Sequence, residues 1–488
     1  MSQHALHHPL PRTSPESIGL ASRHIIEMTE DMKAAGINPH AFLLLRHGQV
    51  FAEGYYAPYG PLMPQTVYSL SKSFTSIAIG LAAADGKISL DEHLVDLFPD
   101  DLPDVVSPEL QALTVRDCLR MATGQPKEPD LVSSNPVKTF LATPFSEMPG
   151  QVFRYNTAAT YMLSASLKTK GIDLEPFLQE RIFDHLGVSG IRWMRMPQGI
   201  CTGGFGMSAL PELIAKFGQL ILQKGRWQDK QLIDPDYLAQ ATAKQIETQN
   251  DDKENVGRRG DWSLGYGYQF WQTRDGSFRG DGMYGQYCLV VPDRDFVLAM
   301  TAFTDDLQKE LDIVFDRIVA NLSDTPLPED PGAAADLKTH LGALRVEWPV
   351  PVDDGLPLDP KWGETVWKLV RKAPNHPFGP RSFKSIRVEP AGHGLRLIMD
   401  GDVLDLKDKT WQLHEIPDYG MLRWPTQMLT SYGLQDGRRL TVRLFWLEML
   451  QKLEYVIDFS NETTTLTASD IHGSKPEIVF QSDLLPQE

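Results

Sequence analysis

The sequence predicts a mixed α/β (α+β) fold. An antiparallel sheet flanked by helices is closed by strands from both ends of residues 1–322, a helical part is inserted between those ends, and a C-terminal all-β domain follows. Three observations predict it: a helix pattern and a hairpin before residue 60, mainly helical periodicity from Leu90 to Gly225, and strand-length runs separated by turns from Tyr266 to Thr301.

Taken in order, Ser14 to Gly36 carries Ile25, Met28 and Met32 at helical spacing after Ser17, a capping candidate. Ala41 to Arg46 is a buried-strand run, His47-Gly48 is a turn, and Val50 to Tyr56 returns as the second strand of a hairpin. Phe74, Ile77, Ala78, Leu81 and Ala82 form the apolar stripe of the next helix, and its small residues imply burial on several sides. In the helical part, about 69–225, Leu113 to Met121 ends at Thr123-Gly124 and Ile214 to Leu222 ends at Lys224-Gly225. The sheet part, about 12–68 and 262–322, is completed by strands at Tyr266 to Thr273, Gly276 to Gly280, Tyr287 to Val291 and Phe296 to Thr301, and by an amphipathic stretch from Leu307 to Leu322. The aromatic run Trp262, Tyr266, Tyr268, Phe270 and Trp271 reads as sheet core, with one or two members free to wall an apolar cleft.

Ser323 to Ala335 is rich in Pro and polar residues without periodicity, so 323–336 reads as a linker. Residues 337–488 then form the β-rich domain, with strand-length runs at Ser385 to Glu389, Gly394 to Met399, Leu440 to Trp446 and Leu453 to Phe459. No cluster of nucleophile, base or metal ligands emerges from it. It is expected to roof a cleft or to mediate pairing into a homo-oligomer.

Composition narrows the function. The 488 residues are 42% hydrophobic and 23% charged, ordinary globular values. With 47 basic against 64 acidic side chains the formal charge is −17 and no polybasic run stands out, which argues against nucleic acid and against anionic membranes as partners. Cys118, Cys201 and Cys288 are widely spaced and odd in number, so they read as buried thiols and neither as disulfides nor as metal ligands. The first ten residues have no basic and apolar signal pattern, and no apolar run reaches the ~20 residues that span a bilayer, so a cytoplasmic protein is expected. No cofactor and no metal are called for.

The chemistry-bearing feature is Ser69-Leu70-Ser71-Lys72, where a turn-rich stretch gives way to the small-residue helix. Residues three apart share a helix face, so Lys72 can present its amine to the Ser69 hydroxyl, and the helix start favours negative charge developing beside the serine. A serine hydroxyl is a weak nucleophile that needs such a neighbour. There is no Gly-x-Ser-x-Gly elbow and no His-Glu-x-x-His, which argues against a histidine-dependent α/β-hydrolase and a metallohydrolase. Gly203-Gly204-Phe205-Gly206 lacks the flanks of a phosphate cradle and reads as a loop near the cleft.

The ordered set of a helix, a hairpin, Tyr68 to Ser73, Pro149-Gly150 leading to Phe153-Arg154-Tyr155, and Gly280-Asp281-Gly282 on a late strand resembles the penicillin-recognising serine hydrolases. The resemblance is to the branch of class C β-lactamases, D-aminopeptidases, family VIII esterases and nylon-oligomer hydrolases, over roughly residues 12 to 322. It implies a β-lactamase/transpeptidase-like fold with the active site between its two parts. By position, the resemblance implies Ser69 as acylated nucleophile, with Lys72 and Tyr155 as its proton-transfer partners. The oxyanion would be held by the backbone N–H groups of Ser69 and Met283, and Thr157, Arg279, Asp281 and Gly282 are the substrate-binding candidates. Whether Lys72 or Tyr155 takes the serine proton stays open.

Two departures bear on substrate. The tyrosine motif, usually Tyr-x-Asn, reads Tyr155-Asn156-Thr157, and the late-strand motif has Gly280 in its usual basic position. Arg279 precedes it but on an alternating strand faces the opposite way. The expectation is a serine hydrolase acting on a small-molecule ester or amide, with ester hydrolysis the easier because alkoxide leaving groups demand less proton help than amines. The alternatives are a non-catalytic binding protein on a hydrolase scaffold, and acyltransferase, β-lactamase or peptidase activity.

Overall fold

A computed structural model describes residues 5–249, 260–346, 366–369, 385–391, 394–399, 402–407, 410–416, 424–435, 439–449, 451–458, 465–470 and 477–481. The chain divides into two compact units, Met1–Val346 and Glu347–Glu488.

In the first unit, α1 (Ser22–Ala34) precedes the hairpin of β1 (Asn38–Arg46) and β2 (Gln49–Tyr55). Four later strands, β3 (Trp271–Gln272), β4 (Phe278–Gly282), β5 (Gln286–Val291) and β6 (Phe296–Phe303), join the hairpin in one antiparallel sheet of order β3-β4-β5-β6-β1-β2. Sheet closure from both ends of this unit is thus the pairing of β6 with β1, from Phe296 opposite Arg46 to Phe303 opposite Asn38. Every residue of β1 after Asn38 is buried, which explains why it reads as an unbroken run and not as an alternating strand. Between the two strand groups lie α2 (Ser71–Ala84), α3 (Val115–Leu119), α4 (Thr157–Thr169) and α5 (Pro211–Leu222). Helix α5 packs across β1, β5 and β6. At Gly218 a Cβ would come within 2.5 Å of Val297, so glycine is what lets this helix approach the sheet.

Three local expectations differ from the structure. The cap of α1 is not Ser17, which lies in a 3₁₀ turn; the carboxylate of buried Glu16 accepts from the Ser22 backbone N–H at 2.8 Å instead. Only Trp271–Gln272 of the 266–273 stretch is strand. Gln269 takes a left-handed conformation (φ 65°) and its side chain donates to the carbonyls of Cys118 and Leu119, which pins the segment to α3. The third difference concerns the expected linker, which is part of the first unit. The Ser323 carbonyl accepts from Arg46, Leu327 N–H donates to the Glu16 carbonyl, and α7 (Pro331–Gly342), capped by Asp330, packs on α1 with His340 bonded to Thr29. Its Pro and acidic residues are a helix start, with Pro331 at the first helical position, where a missing N–H costs nothing. Ahead of it α6 (Leu307–Arg317) packs on the same α1.

Among its described residues the second unit holds a ten-stranded antiparallel sheet running from Asp402–Leu406 at one end of the strand order to Gln412–Ile416 at the other. In Gly394–Met399 alternate residues Leu395, Leu397 and Met399 are buried, the period of a strand with one covered face. The last residue of the run expected from Leu453 to Phe459 lies outside the described residues. Among the described residues no helix is long and apolar enough to cross a membrane.

Candidate active site

Ser69 lies in a single 3₁₀ turn, Tyr68–Leu70, that runs directly into α2. The turn is fixed from both sides. Ser71 Oγ donates to the Tyr68 carbonyl at 2.6 Å and accepts from the Met207 N–H at 3.2 Å. Everything on α2 from Ser71 to Ala82 is buried, so the serine is mounted at the end of a rod held on all sides, at the helix terminus where backbone N–H groups favour an oxyanion.

Lys72, one turn further, is 1% exposed, and its Nζ is 3.0 Å from Ser69 Oγ. The same amine donates to the Gly204 carbonyl at 2.7 Å, stands 3.4 Å from Thr157 Oγ1, and lies 4.9 Å from the centre of the Tyr155 ring. The glycine-rich loop expected near the cleft is therefore against the lysine. Thr75 Oγ1 holds the adjacent Gly203 carbonyl at 2.8 Å, and a Cβ on Gly204 would meet Thr157 at 2.7 Å, so the loop needs glycine to pass between α2 and α4.

Tyr155 is placed by its approach loop. Gly150 N–H donates to the Ala122 carbonyl at 2.7 Å and Arg154 is paired with Glu147 at 2.6 Å. The Tyr155 ring then stacks on Trp271, with centroids 5.7 Å apart and planes 15° from parallel, while Tyr266 meets it edge-on. Trp271 and Tyr266 are thus the members of the aromatic run that support the site. Trp262, Tyr268 and Phe270 are also buried.

The displaced asparagine of the tyrosine motif has a structural occupation. Asn156 is the N-cap of α4, accepting from Ala159 N–H at 3.1 Å, and its amide donates toward Gln125 and Thr123 in the interior. Thr157, the next residue, is the one that faces Lys72. Its N–H donates to Glu128 Oε1 at 2.7 Å, an exposed carboxylate that no local sequence pattern marks.

The late strand separates the remaining candidates. Gly280 and Gly282 face the Ser69 segment: a Cβ on Gly280 would meet Leu70 and Ser73 at 2.5 Å, and one on Gly282 would meet the Val67 carbonyl oxygen at 2.3 Å. Met283 follows Gly282 and is thereby brought beside the turn that holds Ser69. Arg279 and Asp281 alternate to the other face of β4, so the structure does not bring these two substrate-binding candidates together with Ser69 and Lys72. Arg279 is fully buried, donating to Asp281, to the Gln272 carbonyl and to Thr273 Oγ1, with its guanidinium 4.2 Å from the centre of the Trp262 ring. That face of β4 packs inward, and the cation there is bonded through Nε and Nη1, while its Nη2 is buried with no hydrogen-bond partner among the described residues.

The structure adds what sequence reasoning missed. Tyr68 and Tyr284, the neighbours of Ser69 and Met283, meet edge-to-face at 5.6 Å. The signal was their position in sequence, one residue from each expected oxyanion donor. Cys118, Cys201 and Cys288 are free and buried, and burial pushes the Cys201 thiol up to about 12. No group of His, Cys, Asp and Glu able to hold a metal ion occurs among the described residues.

No curated protein matches the chain. Solved structures similar in fold include EstCE1, a hydrolase with promiscuous acyltransferase activity (14% identity, TM-score 0.50, covering 61% of this chain and 98% of that one). A penicillin-binding protein homologue from Caulobacter crescentus is similar to the same degree (15% identity, TM-score 0.50, 62% of this chain and 99% of that one). The family described as Beta-lactamase matches residues 27–320, which contain the whole constellation from Ser69 to Met283. Since that match spans more than half of the 488 residues, and the sheet, helices and Ser69–Lys72 turn lie within it, the chain belongs to the Beta-lactamase family.

Proposed function

We propose that this protein is a serine hydrolase that acts on a small-molecule ester or amide through an acyl-enzyme on Ser69, with carboxylesterase activity as its most accessible form. The observation that carries the reading is the buried Lys72 amine 3.0 Å from the Ser69 hydroxyl. Ser69 Oγ attacks the substrate carbonyl and its proton passes to the Lys72–Tyr155 pair. The resulting oxyanion is met by the N–H groups of Ser69 and Met283. Collapse expels the alcohol, which takes that proton, and water repeats the sequence to release the acid. Two features weigh against a lactam bearing a carboxylate. The site face of β4 carries glycine at 280 and 282, and the strand's one arginine is turned away and bonded.

The test is to incubate the protein and Ser69→Ala with a fluorophosphonate probe and a p-nitrophenyl ester, then map the adduct by mass spectrometry. An adduct on Ser69, with turnover lost in the variant, is the expected result. No adduct and no turnover in folded protein would favour a binding protein on a hydrolase scaffold.

A further inference from the structure

Two residues flank the expected oxyanion donors: Tyr68 precedes Ser69, and Tyr284 follows Met283. Both have positive φ, 47° at Tyr68 and 69° at Tyr284, a region that a residue with a Cβ occupies only when its surroundings impose it. The two strained tyrosines touch each other, ring centroids 5.6 Å apart and planes at 86°. Neither is core: both are half-buried, and Met283 between Gly282 and Tyr284 is exposed.

Tyr284 is anchored from behind. Its ring stacks on Phe303, the last residue of β6, at 5.0 Å, and its carbonyl accepts from Thr304 N–H at 3.1 Å. The Met283 carbonyl accepts from the buried Gln286 side chain at 3.1 Å. On the other side, the Tyr68 carbonyl is held by Ser71 Oγ. Met283 is therefore bracketed against the nucleophile turn twice. Gly282 closes on Val67 through backbone, and Tyr284 closes on Tyr68 through rings.

We infer that the Tyr68–Tyr284 ring contact is a positioning clasp that sets the separation of the Ser69 and Met283 N–H groups, so that both reach one oxyanion. The inference rests on the acyl-enzyme reading above. Its physical basis is that donors must stand at hydrogen-bond distance from the position of the oxyanion, and a displacement of about 1 Å costs on the order of 10²-fold in rate. The strain at both tyrosines is then the local cost of holding two chain segments in a register that neither adopts alone.

The experiment compares wild type with Tyr68→Gly, Tyr284→Gly, the double variant, and Tyr68→Phe and Tyr284→Phe. Glycine accepts positive φ, so these variants lose the rings while relieving the strain, and thermal melting checks that they fold. Acylation by a p-nitrophenyl ester is followed for kcat and KM, with fluorophosphonate labelling of Ser69 in parallel. Each glycine variant is expected to lower kcat by about 10²-fold with KM little changed. The double variant should be no worse than the poorer single, because one contact is lost in all three, and the phenylalanine variants should keep the rate. Wild-type kcat in the glycine variants, losses that multiply in the double, or a rise in KM at constant kcat would overturn the clasp; the last would make the rings a substrate wall. Failure of wild type itself to be labelled or to turn over would overturn the acyl-enzyme reading and the clasp with it, whereas normal wild-type labelling with indifferent variants removes the clasp alone.

Discussion

Lys72 Nζ stands 3.0 Å from the Ser69 hydroxyl oxygen and 2.7 Å from the carbonyl oxygen of Gly204, so a loop 132 residues further along the chain aims the amine at the serine. A lysine amine is a compact group on a flexible stem, which a planar guanidinium cannot imitate. Lys72→Met is expected to lower acylation by about 10²–10⁴-fold, and Lys72→Arg should not restore it. Burst kinetics with a p-nitrophenyl ester measure both. A rate for Lys72→Met close to wild type would take the amine out of the proton path.

Gly282 sits where a Cβ would be 2.3 Å from a backbone oxygen, that of Val67. At Gly280 the obstructing atoms belong to the Leu70 and Ser73 side chains, which can rotate. Gly282→Ala is therefore expected to cost about 1–3 kcal/mol of stability and to reduce turnover, with Gly280→Ala milder on both counts. Chemical denaturation alongside ester hydrolysis tests the order of the two, and equal effects would mean that the Val67 backbone yields as easily as a side chain.

Arg279 is expected to act as a structural cation, from its burial and its bonds to Asp281, Gln272 and Thr273. Replacing it by Met breaks the Arg279–Asp281 ion pair on one side, a change that costs about 3–5 kcal/mol for a buried pair. The expected phenotype is a lowered denaturation midpoint with KM for small esters unchanged. A selective rise in KM with intact stability would return Arg279 to the substrate site.

Glu310, on α6, is fully buried, neither carboxyl oxygen has a hydrogen-bond partner among the described residues, and a Cβ on Gly285 would come 2.2 Å from one of them. Burial pushes its pKa well above the usual carboxylate range of about 4.5, so the fold holds the protonated form. The facing Tyr287 phenol is raised by burial as well and stays neutral across this range. Between the unfolded and folded pKa values the folded state keeps a proton that the unfolded chain releases, so stability falls as pH rises above about 4.5. Glu310→Gln removes that dependence. Its melting temperature should exceed that of wild type at pH 8, with the gap closing toward pH 4. A gap independent of pH would mean that the carboxyl titrates alike in both states.

Sequence by itself determined the local events, because these depend on neighbours along the chain. Ser69 and Lys72 fall one helical turn apart whatever surrounds them, the β1–β2 hairpin follows from apolar runs around His47-Gly48, and the faces of β4 follow from the two-residue period that sets Arg279 opposite Gly280. The ordered motifs also placed the chain among the penicillin-recognising hydrolases, in agreement with the family match. Tertiary structure alone decided which groups meet across long chain separations. Gly204 and Thr157 converge on Lys72, Val67 and Tyr68 close on Gly282 and Tyr284, Asn156 turns inward as a cap, and residues 323–346 return to the first unit because α7 finds α1. A capping asparagine and a substrate-binding asparagine are the same letter, and so are a linker proline and a proline at a helix start. What separates them is the packing partner, which no window of neighbouring residues contains.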